Sequence, residues 1–298
     1  MNYHIPVLLT ESIEGLNISP DGVYVDATFG GGGHSLSILQ QLSHGKLFAF
    51  DQDDDARVNV FDDPRFTLVN HNFAFLKNFL EYFKVPHVNG ILADLGVSSH
   101  HFDTPERGFS FRFNSALDMR MDLNSTKNAR QVINEYDLNA LTYVFREYGE
   151  LQNARKLAYA ICDARIQKEI ETTFDLRDIA VRFCNAKTET KYLSQLFQSI
   201  RVEVNNEMET LKRFLRAGLD VLAPGGRFVV ITYHSLEDRI VKNFFKTGNT
   251  EGVIVKDFYG NVKTPFLQIT KKIIVPSDDE LRENNRARSA KLRIAEKI

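Results

Sequence analysis

The sequence predicts an α/β domain, in which strands and helices alternate, interrupted by an inserted helical segment. Three observations carry this. An apolar run ending in an acid leads into four consecutive glycines, Gly30 to Gly33, and then into a stretch of helical periodicity. Short apolar runs that also end in acids follow at Lys46–Asp51 and Val88–Asp94. Between residues 104 and 203 that rhythm stops: the stretches Arg107–Phe111 and Leu117–Asp122 read as loops, apolar residues recur at helical spacing from Asp137 to Val204, and no further strand appears until the run Arg227–Thr232. The expected organisation is one discontinuous domain, residues 1–103 with 204–298, and an insertion at 104–203.

Composition sets the outer bounds. A chain of 298 residues, 43% hydrophobic and 26% charged, is globular in composition and long enough for a sizeable core. Two cysteines, Cys162 and Cys184, fit neither a disulfide framework nor a four-ligand metal site, so a reducing cytoplasm and no metal are expected. The first residues are too acidic (Glu11, Glu14) for a signal peptide, and no apolar run reaches membrane length. Net charge is -2, which argues against wholesale electrostatic capture of nucleic acid. Residues 1–100 carry 5 Lys and Arg against 12 Asp and Glu and the remainder 32 against 27, so the basic surplus lies downstream of the glycines.

The first strand is Val23-Tyr-Val-Asp26, and the helix after the glycines is marked by Leu36, Ile38, Leu39 and Leu42. Glycine permits positive φ and removes the Cβ that would hold a ligand away, so the turn presents backbone to a nucleoside-like ligand. A dinucleotide fingerprint wants a third glycine at position 35, where Ser35 stands. The spacing Asp26, Gly30, Gly32, Gly33 suits S-adenosylmethionine better, because that ligand has no pyrophosphate to seat on a helix N-terminus. His4, upstream, reads as a surface or packing residue.

Asp51 ends the second strand, where a carboxylate accepts hydrogen bonds from ribose hydroxyls. Asp51, Asp53 and Asp55 imitate a calcium loop, but Ala56 and Asp62 occupy its glycine and glutamate positions, so that reading fails. Asp53 to Asp55 instead suit a helix N-terminus. Phe66–Val69 reads as a third strand, followed by Phe73, Leu76, Phe79, Leu80 and Phe83 at helical spacing, with Phe73 placed to cover a purine. Val88–Leu92 is a fourth strand that runs on to Asp94. Asp26, Asp51 and Asp94 thus share the carboxyl ends of neighbouring strands.

After the insertion, a helix is expected near Asn206–Leu222, then a Pro224-Gly-Gly turn and the strand Arg227–Thr232. In Tyr233-His-Ser-Leu-Glu-Asp-Arg239, Ser235 is placed to cap the following helix. Gly252–Lys256 and Phe266–Val275 read as closing strands. The tail Arg282–Lys297 is basic, and is read either as an RNA contact or as a solvated amphipathic helix.

Together these motifs resemble one family. Asp26-Ala-Thr-Phe-Gly with Gly-Gly-His34-Ser, Asp94-Leu-Gly-Val-Ser-Ser, Arg107-Gly-Phe-Ser-Phe, Leu117-Asp-Met-Arg-Met, Tyr148-Gly-Glu, Phe197-Gln with Arg201, His234-Ser-Leu-Glu-Asp-Arg and Arg286-Ala-Arg-Ser with Leu-Arg293 occur in order across nearly the whole chain. This is similar to the bacterial small-subunit (16S) ribosomal RNA cytosine-N(4) methyltransferase family (RsmH/MraW). The resemblance implies a Rossmann-like sheet with a helical insertion, using S-adenosylmethionine to methylate a decoding-region cytidine. It implies cofactor contacts at Gly32, Gly33, His34, Asp51, Phe73, Asp94 and His101. RNA contacts are expected at Arg107, Arg120, Arg201, Tyr233, Arg288 and Arg293, with the small ribosomal subunit as partner and neither membrane nor DNA. Asp94 and His234 are the two candidates for accepting a hydrogen from the reacting amine. The chain departs from the family at His101 (often Gln), Asn114 and Ala116 (Asp and Pro), and near Gln195 (Arg). Two readings of other classes stand beside it: a nicotinamide-dependent oxidoreductase, and a non-catalytic RNA-binding assembly factor.

Overall fold

The computed structural model describes residues 6–96, 104–260, 262–270 and 272–298; His4 and His101 lie outside them. Two compact units emerge: Met1–Gly96 with Met208–Ile298, and Val97–Glu207. In chain order the first unit begins with α1 (Leu9–Leu16), β1 (Val23–Asp26), α2 (Gly33–Gln41), β2 (Lys46–Asp51), β3 (Phe66–Asn70), α3 (Leu76–Tyr82) and β4 (Val88–Asp94). The second unit holds α4 (Ala129–Glu135), α5 (Leu138–Tyr143), α6 (Ala154–Gln167), α7 (Thr173–Ala180) and α8 (Glu189–Val204). The chain returns through α9 (Glu207–Val221) to β5 (Leu222–Thr232), α10 (Ser235–Thr247), β6 (Phe266–Gln268), α11 (Asp278–Glu283) and β7 (Lys291–Lys297).

The strands form one sheet in the order β3-β2-β1-β4-β5-β7-β6. β3, β2, β1, β4 and β5 pair in parallel, and β7 runs antiparallel between β5 and β6. Helices cover both faces, so strand residues alternate between two apolar layers rather than between core and water. Ile91, Ala93, Phe228 and Val230 face one layer with Leu76 and Phe214, while Leu92, Val229 and Ile231 face the other with Ile13 and Ile38. In such a sheet the strand order reverses between β1 and β4, and the crevice at their carboxyl ends is where ligands bind.

In the second unit the apolar stripes of α4 to α8 converge on a core that includes Phe145, Leu157, Leu176, Leu196 and Ile200. Its helix starts are chemically marked. Asn128 with Gln131 and Thr172 with Asp175 form capping boxes, and Asp137 accepts from the Ala140 amide.

Four expectations about elements are corrected. Residues 252–256 form no strand, only the single bridge Lys256 to Val262, and the expected strand at 266–275 shortens to β6. The basic tail is neither a loose arm nor a helix throughout. Its last residues are β7, whose Leu292, Ile294 and Ala295 are buried, because alternating apolar side chains fit an interior strand. Finally, His234 rather than Ser235 sits at the N-cap of α10, and its side chain makes no cap bond. Glu237 reaches back instead to accept the Tyr233 amide, just before the N-cap, at 2.9 Å.

Candidate cofactor and catalytic site

The glycine turn is held from beneath by Asp26. Its carboxylate, 1% exposed, accepts the Ser35 hydroxyl at 2.7 Å and the Thr28 amide at 3.0 Å, tying the end of β1 to the first turn of α2. Asp26 therefore faces the protein, not the crevice, because a buried carboxylate requires donors around it. Asp51 holds the turn from the side: one oxygen accepts the Gly30 amide at 2.8 Å and the other the Asp53 amide at 2.9 Å. Asn59, which sequence reasoning missed, donates to the Gly30 carbonyl at 2.9 Å and completes the clamp.

The glycines differ in purpose. A Cβ on Gly33 would meet Pro6 at 2.2 Å, and one on Gly32 (φ +78°) would meet Phe61 at 2.9 Å, so both are required by protein neighbours. Gly30 (φ +48°) has no protein atom within 4 Å of where a Cβ would stand, so open space lies beside it. His34 is buried, with Nε2 3.1 Å from the Val7 carbonyl oxygen. Phe73 opens a short turn after β3 and packs edge-on against Phe214, ring centroids 4.9 Å apart.

Asp94 ends β4 in the crevice. Its amide donates to the Thr28 hydroxyl at 2.7 Å, and its Oδ1 accepts the Tyr233 phenol at 2.8 Å. Part of the residue stays exposed, yet burial pushes the carboxyl up to about 6; His34 and the Tyr233 hydrogen bond pull it down, and Asp26 and Glu237 push it up. The Tyr233 phenol is itself raised strongly by burial and by Asp94. Tyr233 lies over Gly96 (φ +114°), where a Cβ would come within 3.2 Å of its ring. His234 has 8% of its side chain exposed, with Nε2 3.1 Å from Glu237 Oε1. That contact lacks hydrogen-bond alignment, and Nδ1 has no partner among the described residues. Glu237, which from the sequence reads with Asp238 as an acid favouring a helix N-terminus, is 3% exposed.

The residues fit an adenosyl cofactor on their own chemistry. Asp51 presents a carboxylate beside the turn, the space at Gly30 is open, and Asp94 is a crowded carboxyl that a nearby cation would relieve.

Most arginines expected to meet RNA have intramolecular partners instead, since guanidinium groups buried this deeply need acceptors. Arg107 donates to the carbonyls of Arg120 and Met121. Arg120 chelates Asp118 at 2.8 and 2.7 Å, and Arg201 chelates Glu207 at 2.8 and 2.9 Å. Arg293 chelates Asp238 at 2.7 and 3.2 Å. Arg288 is exposed in the short turn Asn285–Ser289.

The family model described as MraW methylase family matches residues 1–298. A protein named ribosomal RNA small subunit methyltransferase H from Parabacteroides distasonis is 57% identical, covering 99% of this chain and 98% of that one. The protein of the same name from Flavobacterium johnsoniae is 56% identical, covering 100% and 99%. That from Amoebophilus asiaticus is 52% identical, covering 99% and 96%.

Proposed function

This chain belongs to the MraW methylase family and is an S-adenosylmethionine-dependent rRNA methyltransferase, and we propose that it methylates the exocyclic N(4) amine of a decoding-region cytidine in small-subunit (16S) rRNA. The observation that carries this reading is the family match along the entire chain, together with relatives whose name specifies the small subunit. The oxidoreductase and assembly-factor alternatives are set aside on that membership. On this reading the enzyme works with the ribosome in the cytoplasm. Residues of the inserted unit and exposed Arg288 contribute RNA recognition on this reading.

S-adenosylmethionine supplies the methyl group as an electrophile on a positively charged sulfur. Asp51 would hold the ribose of that cofactor, while its backbone bonds keep the glycine turn in place. Asp94 supplies negative charge at the crevice, steadied by the Tyr233 phenol, while the Thr28 hydroxyl holds its backbone by accepting the Asp94 amide. A cytosine amine is a weak nucleophile because its lone pair is delocalised into the ring, so holding it in line with the methyl group is the main task. An acceptor on the amine hydrogen localises that lone pair as the bond forms, and no strong base is needed for the acidic product ammonium. Asp94 and His234 are the groups proposed for that contact. Transfer of tritiated methyl to small subunits lacking the modification, with the product nucleoside identified, tests the whole reading. Label on a cytosine carbon or on another base would overturn the N(4) assignment.

A further inference from the structure

Between α10 and β6 the first unit extends an arm that the cofactor and catalytic site does not use. Its base is anchored: Asn249 exchanges hydrogen bonds with Val253 at 2.7 and 2.9 Å, and Thr247 and Thr250 are buried. Its two sides meet at the antiparallel bridge Lys256 to Val262, reinforced by the Lys263 amide donating to the Val255 carbonyl at 2.8 Å. At the tip, Asp257 accepts the Tyr259 amide at 2.9 Å, and its carbonyl accepts the Gly260 amide at 3.1 Å; Gly260 takes φ +86°. This ordered turn holds Phe258 98% exposed and Tyr259 85% exposed, with their rings edge to face at 5.7 Å.

Two adjacent rings standing in water forgo the burial that aromatic side chains ordinarily gain on folding, and exposed apolar surface of this kind marks an interaction site. The charge around them selects the partner. Lys256 and Lys263 are exposed and have no ion-pair partner among the described residues. The acids nearby are engaged, Glu251 with Arg216 and Thr250, and Asp257 with the turn itself. A symmetric pairing of two arms would bring lysines of both copies together, which disfavours a second copy of this chain. Aromatic rings flanked by free cations are instead the composition that takes unpaired nucleotides, with bases on the rings and phosphates on the ammonium groups.

We propose that the arm at residues 249–264 is a second RNA contact, in which Phe258 and Tyr259 stack on unpaired bases of the rRNA substrate and Lys256 and Lys263 meet the adjoining phosphates. The inference rests on the rRNA substrate proposed for this enzyme.

The test uses the full chain with unmodified small ribosomal subunits. Stacking is worth about 1–3 kcal/mol per base, so Phe258→Ala with Tyr259→Ala should weaken binding by at least about fivefold and raise KM for the subunit, with kcat little changed. Calorimetric affinity for S-adenosylmethionine and the melting temperature should stay at wild-type values, because both side chains are in solvent. Lys256→Ala with Lys263→Ala should lower the salt slope of binding by roughly 0.7 per lost phosphate contact, while the aromatic pair should leave that slope unchanged. Phe258→Trp with Tyr259→Trp should restore affinity. Wild-type subunit affinity in the aromatic variant overturns the proposal, and so does a dimer that the substitutions convert to monomer. If the wild-type protein itself neither binds nor methylates the subunits, both readings fall; if it does both and the variant matches it, only the arm does.

Discussion

The phenol of Tyr233, just past the end of β5, donates to Asp94 Oδ1 at the end of β4 at a distance of 2.8 Å. The pair joins two residues 139 positions apart and fixes a crevice carboxyl that burial pushes up to about 6. The bond favours the ionised form, so Tyr233→Phe should move that carboxyl higher still.

Cofactor affinity should therefore depend on pH. As pH falls through about 6, Asp94 gains a proton and its attraction for the sulfonium charge is lost, so S-adenosylmethionine should bind progressively more weakly. Calorimetric titration should show this limb in the wild type, displaced to higher pH in Tyr233→Phe and absent in Asp94→Asn. A flat wild-type profile would remove Asp94 from cofactor binding. Stability runs with the same proton: the folded state holds it more tightly than the unfolded chain, so this group's contribution becomes less favourable as pH rises from 3.8 to about 6.

Asp51→Ala should weaken S-adenosylmethionine binding by about tenfold or more, since a charge-assisted hydrogen bond contributes about 1.5–3 kcal/mol. Asp51→Asn, which keeps one acceptor for the Gly30 amide, should lose less stability than Asp51→Ala. Full cofactor affinity in the alanine variant would leave Asp51 as a holder of the turn alone.

Gly30 and Gly33 should separate ligand approach from packing. Gly30→Ala meets no protein atom within 4 Å and costs only left-handed backbone strain of about 1–2 kcal/mol. It should lower cofactor affinity more than stability. Gly33→Ala drives a methyl to 2.2 Å from Pro6 and should lower the melting temperature first. Normal cofactor binding in Gly30→Ala would mean that the open space is not the cofactor's.

Arg293 and Arg288 should behave oppositely. Arg293 and Asp238 are 13% and 16% exposed, so Arg293→Ala should cost about 2 kcal/mol of stability, with Lys291, 3.8 Å from Asp238, softening the loss. Arg288→Ala should leave the melting temperature unchanged and reduce the salt slope of RNA binding by about 0.7–0.9 if it contacts one phosphate. An unchanged slope would assign Arg288 no phosphate.

His234→Ala should lower the single-turnover rate by about a hundredfold with cofactor affinity intact, if its buried ring accepts the amine hydrogen. Asp94→Asn separates the two candidates, because weaker cofactor binding with a normal single-turnover rate would mean positioning only. A normal rate in His234→Ala would take that residue out of the chemistry.

What the sequence by itself determined was local. Apolar runs, glycines and helical periodicity place β1, the glycine turn, α2, the acids at three strand ends and the helices of 138–204, because φ/ψ preference and amphipathic spacing act over a few residues; the helix Ala129–Glu135 was not among them. Even Lys291–Lys297 alternates like a strand, but its charge drew the reading towards a solvated tail. Only the tertiary structure decided that this segment inserts antiparallel between β5 and β6, and that Arg293 and Arg201 are held by Asp238 and Glu207. The same holds for Gly33, which owes its missing side chain to Pro6, and for Tyr233, whose hydroxyl donates to Asp94. Asp238, Pro6 and Asp94 lie far along the chain from their partners, beyond the reach of any local pattern; for the polar groups burial fixes the partner, because a charged or polar group removed from water must take whichever acceptor or donor the packing brings to it.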